Sequence, residues 1–161
     1  ASSQLFIAMA PKRGAGYVLA LDIRACFDNI DHGWLMANVP MQKGVMRKFL
    51  EAGYMERGRL FPTKRGSGQG SLISTLFSNM ALDGMEEALA EKFGKIGSAK
   101  RWQAKVNLVR YADDSVITAV DETTALAARE VIINFLYPRG LVLSKEQTHV
   151  VALEDGFDML R

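Results

Sequence analysis

Residues 106–120 read "VNLVRYADDSVITAV", two apolar runs meeting at a pair of bare carboxylates. Val106, Leu108, Val109 and Tyr111 lead in, and Val116, Ile117, Thr118 and Val120 lead out. Such β-branched and aromatic composition suits a half-buried β-hairpin with its turn on Asp113 and Asp114. Asp favours turns because its short side chain bonds nearby backbone, so a solvated hairpin tip is one explanation. Two adjacent like charges disfavour each other, however, and a cation bound by both removes the penalty. The surrounding chain decides between these.

Upstream, "GYVLALDIRACF" (16–27) alternates apolar residues from Tyr17 to Ile23 and reads as a buried strand ending near Asp22. Asp31 is placed to cap a helix over "HGWLMANV" that stops at Pro40. A second helix over "QKGVMRKFLEAG" puts Val45, Met46, Phe49 and Leu50 on one face. Residues 54–67 read as an irregular basic loop. From Ser71 to Phe93, apolar positions at helical spacing predict the longest helix of the chain. Residues 94–105, rich in Gly and Lys, read as a connection into the hairpin. Downstream, "DETTALAAREVIINFLYPRG" has capping residues, a stripe through Leu126, Ile132, Ile133 and Leu136, and stop signals at Pro138 and Gly140. "LVLSKEQTHVVAL" supplies one or two short strands.

Strand, helices, paired strands, helix, strand is the order of an α+β, ferredoxin-like fold (split β-α-β-β-α-β), with helices on one face of an antiparallel sheet. In that topology the first strand is inserted beside the hairpin, bringing Asp22 towards Asp113 and Asp114. A cluster of carboxylate oxygens suits hard divalent cations, above all Mg²⁺. Two such ions clamp the attacking and leaving oxygens of an in-line phosphoryl transfer. Asp28 and Asp31, past the strand, suit turn or cap roles.

Composition is compatible with this and excludes other classes. At 161 residues and 48% hydrophobic, the chain has material for one globular domain with a real core. Its apolar runs are too short and too charged for a membrane span, and its first residues lack a secretory layout. Cys26 alone excludes an internal disulfide, and with His32 and His149 as its only soft company it argues against zinc. A reducing interior such as the cytoplasm fits. Net charge is only +2, but residues 1–67 hold ten Lys or Arg against five Asp or Glu. Lys12, Arg13, Arg57, Arg59, Lys64 and Arg65 thus offer basic arms to a polyanion, though ordinary solvated loops explain them equally.

With "YADD" (111–114), "LDIRACFDNIDH" (21–32), "GQGSLISTLFSNMALDGME" (68–86), "GLVLSKEQT" (140–148) and "GFDML" (156–160), five blocks in order, the chain resembles the palm of a reverse transcriptase of the bacterial group II intron type. The resemblance implies RNA-templated DNA synthesis from dNTPs on two Mg²⁺ ions, with Mn²⁺ as an alternative, and partners that are an intron RNA template and a DNA or RNA primer. By the same resemblance Asp22, Asp113 and Asp114 are catalytic and bind metal, and the Ile23 carbonyl adds a ligand. Phe27 excludes a ribose 2′-OH. Gln69 and Gly70 meet nucleotide and template, as do Tyr111 and Ala112. Lys145 stands near the place of a lysine proposed to protonate pyrophosphate, a place that aligns with Gln147; strand alternation puts 145 and 147 on one side.

The chain departs from the family at "SGQG" (67–70), where Thr-Pro-Gln-Gly is usual, at Thr75 in place of Pro, and at Ser115 in place of an aromatic. The finger segments that precede the palm in the family and the thumb that follows it are not evident. The expectation is therefore a fragment, residues 1–161 as one palm domain with part of the fingers, inactive or weakly active in isolation. A non-catalytic RNA-binding or maturase module is the alternative, and a nucleotidyl cyclase on a similar palm a distant third.

Overall fold

The computed structural model describes residues 15–24, 29–51, 54–56, 59–61, 72–111 and 114–153. Its strands are β1 (Tyr17–Asp22), β2 (Tyr54–Glu56), β3 (Arg59–Phe61), β4 (Asn107–Tyr111), β5 (Asp114–Ala119) and β6 (His149–Ala152). The helices are α1 (His32–Asn38), α2 (Lys43–Glu51), α3 (Leu72–Leu82), α4 (Met85–Phe93), α5 (Ala99–Ala104) and α6 (Glu122–Leu136). Contacts sort these into two units, one drawn from residues 1–22, 84–135 and 143–161, the other from 23–83 and 136–142.

The first unit is an α+β arrangement around a four-stranded sheet of order β4-β5-β1-β6, every neighbouring pair antiparallel. Alternation fixes what each face carries. On one face Leu19, Leu21, Ser115, Ile117 and Ala119 are buried. Opposed partners on the other face run Val18↔Thr118, Ala20↔Val116 and Asp22↔Asp114. There Leu153 covers Val18 and Val116, while Asp114 at the end of the row is exposed. Gly16 enters β1 so closely that an added Cβ would lie 2.8 Å from the Val120 carbonyl oxygen, and its N–H donates to Ala119 O at 3.0 Å. The α4 helix buries Met85, Leu89 and Phe93, and α6 buries Ala125, Ala128, Ile132 and Leu136.

Two readings of helical faces need correction. Leu126 and Ile133 lie at the margin of α6 and are more than a third exposed, the inward stripe being completed by the two alanines. On α2, Met46 and Leu50 are buried, whereas Val45 and Phe49 face solvent. The helix expected from Ser71 to Phe93 is two helices, α3 and α4, separated at Asp83–Gly84. Gly84 takes φ +94°, a left-handed turn that only Gly adopts without strain. The apolar spacing survives that kink, which is why the pattern looked continuous. The longest helix is α6, with 15 residues. The 94–105 connection holds α5, with Ser98 accepting from Arg101 N as its cap.

In the second unit Asp31 caps α1, accepting the Trp34 N–H at 2.7 Å. The segment expected to be an irregular loop contains β2 and β3, paired antiparallel from Tyr54↔Phe61 to Glu56↔Arg59. After α6, a short 3₁₀ turn at Tyr137–Arg139 ends at Gly140 with φ +73°. There Arg139 ties the unit together: its Nε donates to Ala81 O at 2.7 Å, its guanidinium lies 4.6 Å from the Trp34 ring centre, and its carbonyl accepts Asp31 N–H at 2.9 Å. Among the described residues no helix is long and apolar enough to cross a membrane.

Candidate active site

Asp22 is the last residue of β1 and Asp114 the first of β5, and the register makes them direct partners. On the other side of Asp114, the register pairs it with Tyr111 of β4. Three residues of the sequence-predicted site thus stand in a row at one end of the sheet. Directly opposed side chains have Cβ atoms about 4.5–5.5 Å apart, and like charges so placed destabilise a pair. Asp22 is half-buried and Asp114 exposed, at the end of the face that carries Val18, Val116 and Thr118. An all-oxygen donor set of this kind fits Mg²⁺ or Mn²⁺ and not a soft metal.

Asp113, Ala112, Phe27, Gln69 and Gly70 lie outside the described residues, as does the block at 156–160. Among the described residues no group of three His, Cys, Asp or Glu is assembled; the two opposed aspartates are what the sheet itself supplies. Ile23 follows β1 with its side chain buried, which leaves its backbone as the donor it can offer.

The segment after α6 approaches this end from the other flank. Ser144 N donates to Asp22 O at 2.8 Å, which anchors the residues around Lys145 beside the end of β1. Residues 145–147 form a turn and not a strand, so strand alternation does not relate Lys145 to Gln147. Both side chains are exposed, and the Ser144 hydroxyl lies 3.5 Å from Gln147 Oε1, at the limit of a hydrogen bond.

Ser115, next to the aspartates, points to the opposite, buried face. It is 2% exposed, and its Oγ has no hydrogen-bond partner among the described residues. A buried hydroxyl without a partner is costly, and a β-strand interior gives no sequence signal that would reveal it. Sequence reasoning also missed Arg101, 4% exposed. It donates from Nε to Val106 O at 2.6 Å, from Nη1 to Gly94 O at 3.3 Å and from Nη2 to Glu86 Oε1 at 2.6 Å. Burial raises the Glu86 carboxyl above its ordinary value, and the facing Arg101 opposes that shift. The sequence signal for α5 itself was Ser98 followed by a run in which Ala99, Lys100, Arg101, Gln103 and Ala104 favour a helix.

Residues 3–160 match the family described as reverse transcriptase (RNA-dependent DNA polymerase). The chain belongs to this family. Its relatives include the group II intron-encoded protein LtrA of Lactococcus lactis subsp. cremoris, 35% identical over 80 residues, 46% of this chain and 13% of that protein. The retrovirus-related Pol polyprotein from type-1 retrotransposable element R2 of Nasonia vitripennis is 25% identical over 152 residues, 85% of this chain and 14% of the other. Protein YkfC of Escherichia coli K12 is 26% identical over 176 residues, 89% and 45% of the two chains. This reverse transcriptase domain therefore spans 13% of the length of the intron-encoded relative it matches. Among solved structures, telomerase from Candida tropicalis with a fragment of telomeric RNA superposes with a TM-score of 0.64 at 14% identity, covering 96% of this chain and 30% of that one. Telomerase from Candida albicans gives 0.58 at 17% identity, covering 99% and 31%. At those identities the likeness speaks for the fold alone.

Proposed function

We propose that this chain is the catalytic palm, with part of the fingers, of a group II intron-encoded reverse transcriptase. It extends a DNA or RNA primer on an intron RNA template in the bacterial cytoplasm. The observation that carries the reading is the Asp22↔Asp114 register pair, next to Asp113 in the chain. The antiparallel strand order β4-β5-β1-β6 supports reading the sheet as a ferredoxin-like split β-α-β-β-α-β fold.

In this reading Asp22, Asp113 and Asp114, with the Ile23 carbonyl, hold two Mg²⁺ ions. When bound, these lower the pKa of the primer 3′-hydroxyl and offset charge on the leaving pyrophosphate. The chain's own groups do the rest. The primer 3′-oxygen forms a bond to the α-phosphorus of the dNTP as the bond to the bridging oxygen of pyrophosphate breaks. Phe27 blocks a 2′-hydroxyl, Gln69 and Gly70 seat the nucleotide against the template, and Lys145 gives a proton to the departing pyrophosphate. The cross-strand pairing of Asp22 with Asp114 supports the preorganisation that such transfer needs.

The test is primer extension with Mg²⁺ by the parent protein containing this segment, against Asp114→Ala. The expected result is loss of cDNA by at least a hundredfold. A second reading, a maturase module that binds intron RNA without catalysis, draws on Gln147 and the unpartnered Ser115 hydroxyl. Absence of cDNA from the parent protein as well as the variant would favour it, and equal cDNA from both would mean that the site assignment is wrong.

A further inference from the structure

Residues 92–112 contain six Lys or Arg and no Asp or Glu. Arg101 is committed to Glu86. Lys92, Lys95 and Lys100 are exposed, and among the described residues no carboxylate pairs with them or with Lys105. The exposed acids Glu87 and Glu91 precede the segment on α4. Within it stands Trp102, 69% exposed, a large indole that a soluble surface has reason to cover.

Two features show that this display is built. Arg101 clamps the ends of the segment, Gly94 and Val106, by two of its three side-chain hydrogen bonds, so α5 is a fixed platform. Among the described residues Lys105 is the non-glycine residue with positive φ, +53°, a conformation L residues seldom keep. This left-handed cap returns its ammonium to 3.7 Å from the Trp102 ring centre. One face of the ring is thereby charged and covered while the other stays open.

We propose that Trp102, with Lys95, Lys100 and Lys105 around it, is a stacking platform for a single-stranded nucleic acid. A base lies on the open indole face and its phosphates meet the lysines. Stacking on an aromatic ring within a cationic surface is the general chemistry of single-strand binding. A lipid surface fits less well, because a helix of six residues carries no broad apolar face. The platform is distinct from the carboxylate end of the sheet: β4 leads from Asn107, beside α5, to Tyr111, a run of about 13 Å at about 3.3 Å per residue. The inference does not depend on the two-ion reaction.

The test is a fluorescence titration of the 161-residue chain carrying Trp34→Phe, which leaves Trp102 as its one indole, in EDTA so that metal binding plays no part. The probes are oligouridine, oligothymidine and a duplex of equal length. Either single strand is expected to quench Trp102 and to bind more tightly than the duplex; RNA alone doing so adds a 2′-hydroxyl contact. In an anisotropy titration Trp102→Ala should weaken binding about tenfold, the scale of one stacked base. Lys100→Gln/Lys105→Gln should lower the slope of log K on log salt by about 1.4, two contacts at about 0.7 each. Absence of quenching with unchanged affinity in the lysine variant overturns the proposal, as does quenching by anionic vesicles and not by the oligonucleotides.

Discussion

Asp22 and Asp114 are direct cross-strand partners, and like charges placed opposite each other on neighbouring strands carry a local electrostatic cost. Neutralising one carboxylate at constant shape should therefore do two opposite things. Asp114→Asn is expected to stabilise the ion-free chain by about 0.2–1 kcal/mol, the scale of a cross-strand pair, and to abolish the rise in melting temperature on adding Mn²⁺. Thermal melts with and without the ion check both. Ser115 provides a second residue-scale test. Its buried, unpartnered hydroxyl predicts that Ser115→Ala raises stability by about 1 kcal/mol in urea unfolding; a loss of stability would mean the hydroxyl has a role in packing. Both aspartates were legible in the sequence because charge between apolar runs stands out. Ser115 was legible as a departure, but not as an orphaned donor, since that depends on what surrounds it in space.

At the scale of elements, caps and breaks do more than periodicity reveals. Thr124 N donates to Asp121 Oδ1 at 2.7 Å, and the bonds from the Thr124 side chain and backbone hold the Asp121 carboxyl below its ordinary 3.8. Because the folded value is the lower one, the cap's contribution is complete above pH 3.8 and is lost as pH falls through the folded value. Asp121→Ala should thus cost about 1 kcal/mol near neutrality, with the deficit closing in strong acid, as urea titrations across pH would show. Gly84→Ala should cost about 1–2 kcal/mol, the penalty for a Cβ in left-handed geometry, with the Phe135 ring 3.4 Å from the added carbon. The hairpin, β1 and the caps at Asp31 and Asp121 could be read because each depends on a few adjacent residues. The break at Gly84 could not, since an isolated Gly is tolerated within a helix. β2 and β3, with three residues each, are too short to alternate visibly, and the alanines of α6 form an inward stripe that a search for large apolar residues passes over.

Across the whole molecule, the sheet order was accessible because few topologies accommodate strand, helices, hairpin, helix and strand without crossings. That order sets the first strand between hairpin and last strand, and so the chemistry at its end. What lay beyond reach was the buried Arg101 that fixes the 94–105 connection, since a basic residue in a Lys-rich segment looks like solvated charge. Arg101→Met should cost about 3–5 kcal/mol by leaving Glu86 half-buried without its partner, measurable by chemical denaturation. The central claim, that the ends of β1 and β5 make one divalent-ion site, is tested most directly by calorimetric titration of Mn²⁺ into four proteins: the parent chain, Asp22→Asn, Asp114→Asn and the double variant. Shared ligation predicts that each single change removes most of the affinity and that the double change removes little more; unaltered binding in both single variants, or losses that simply add, would contradict it.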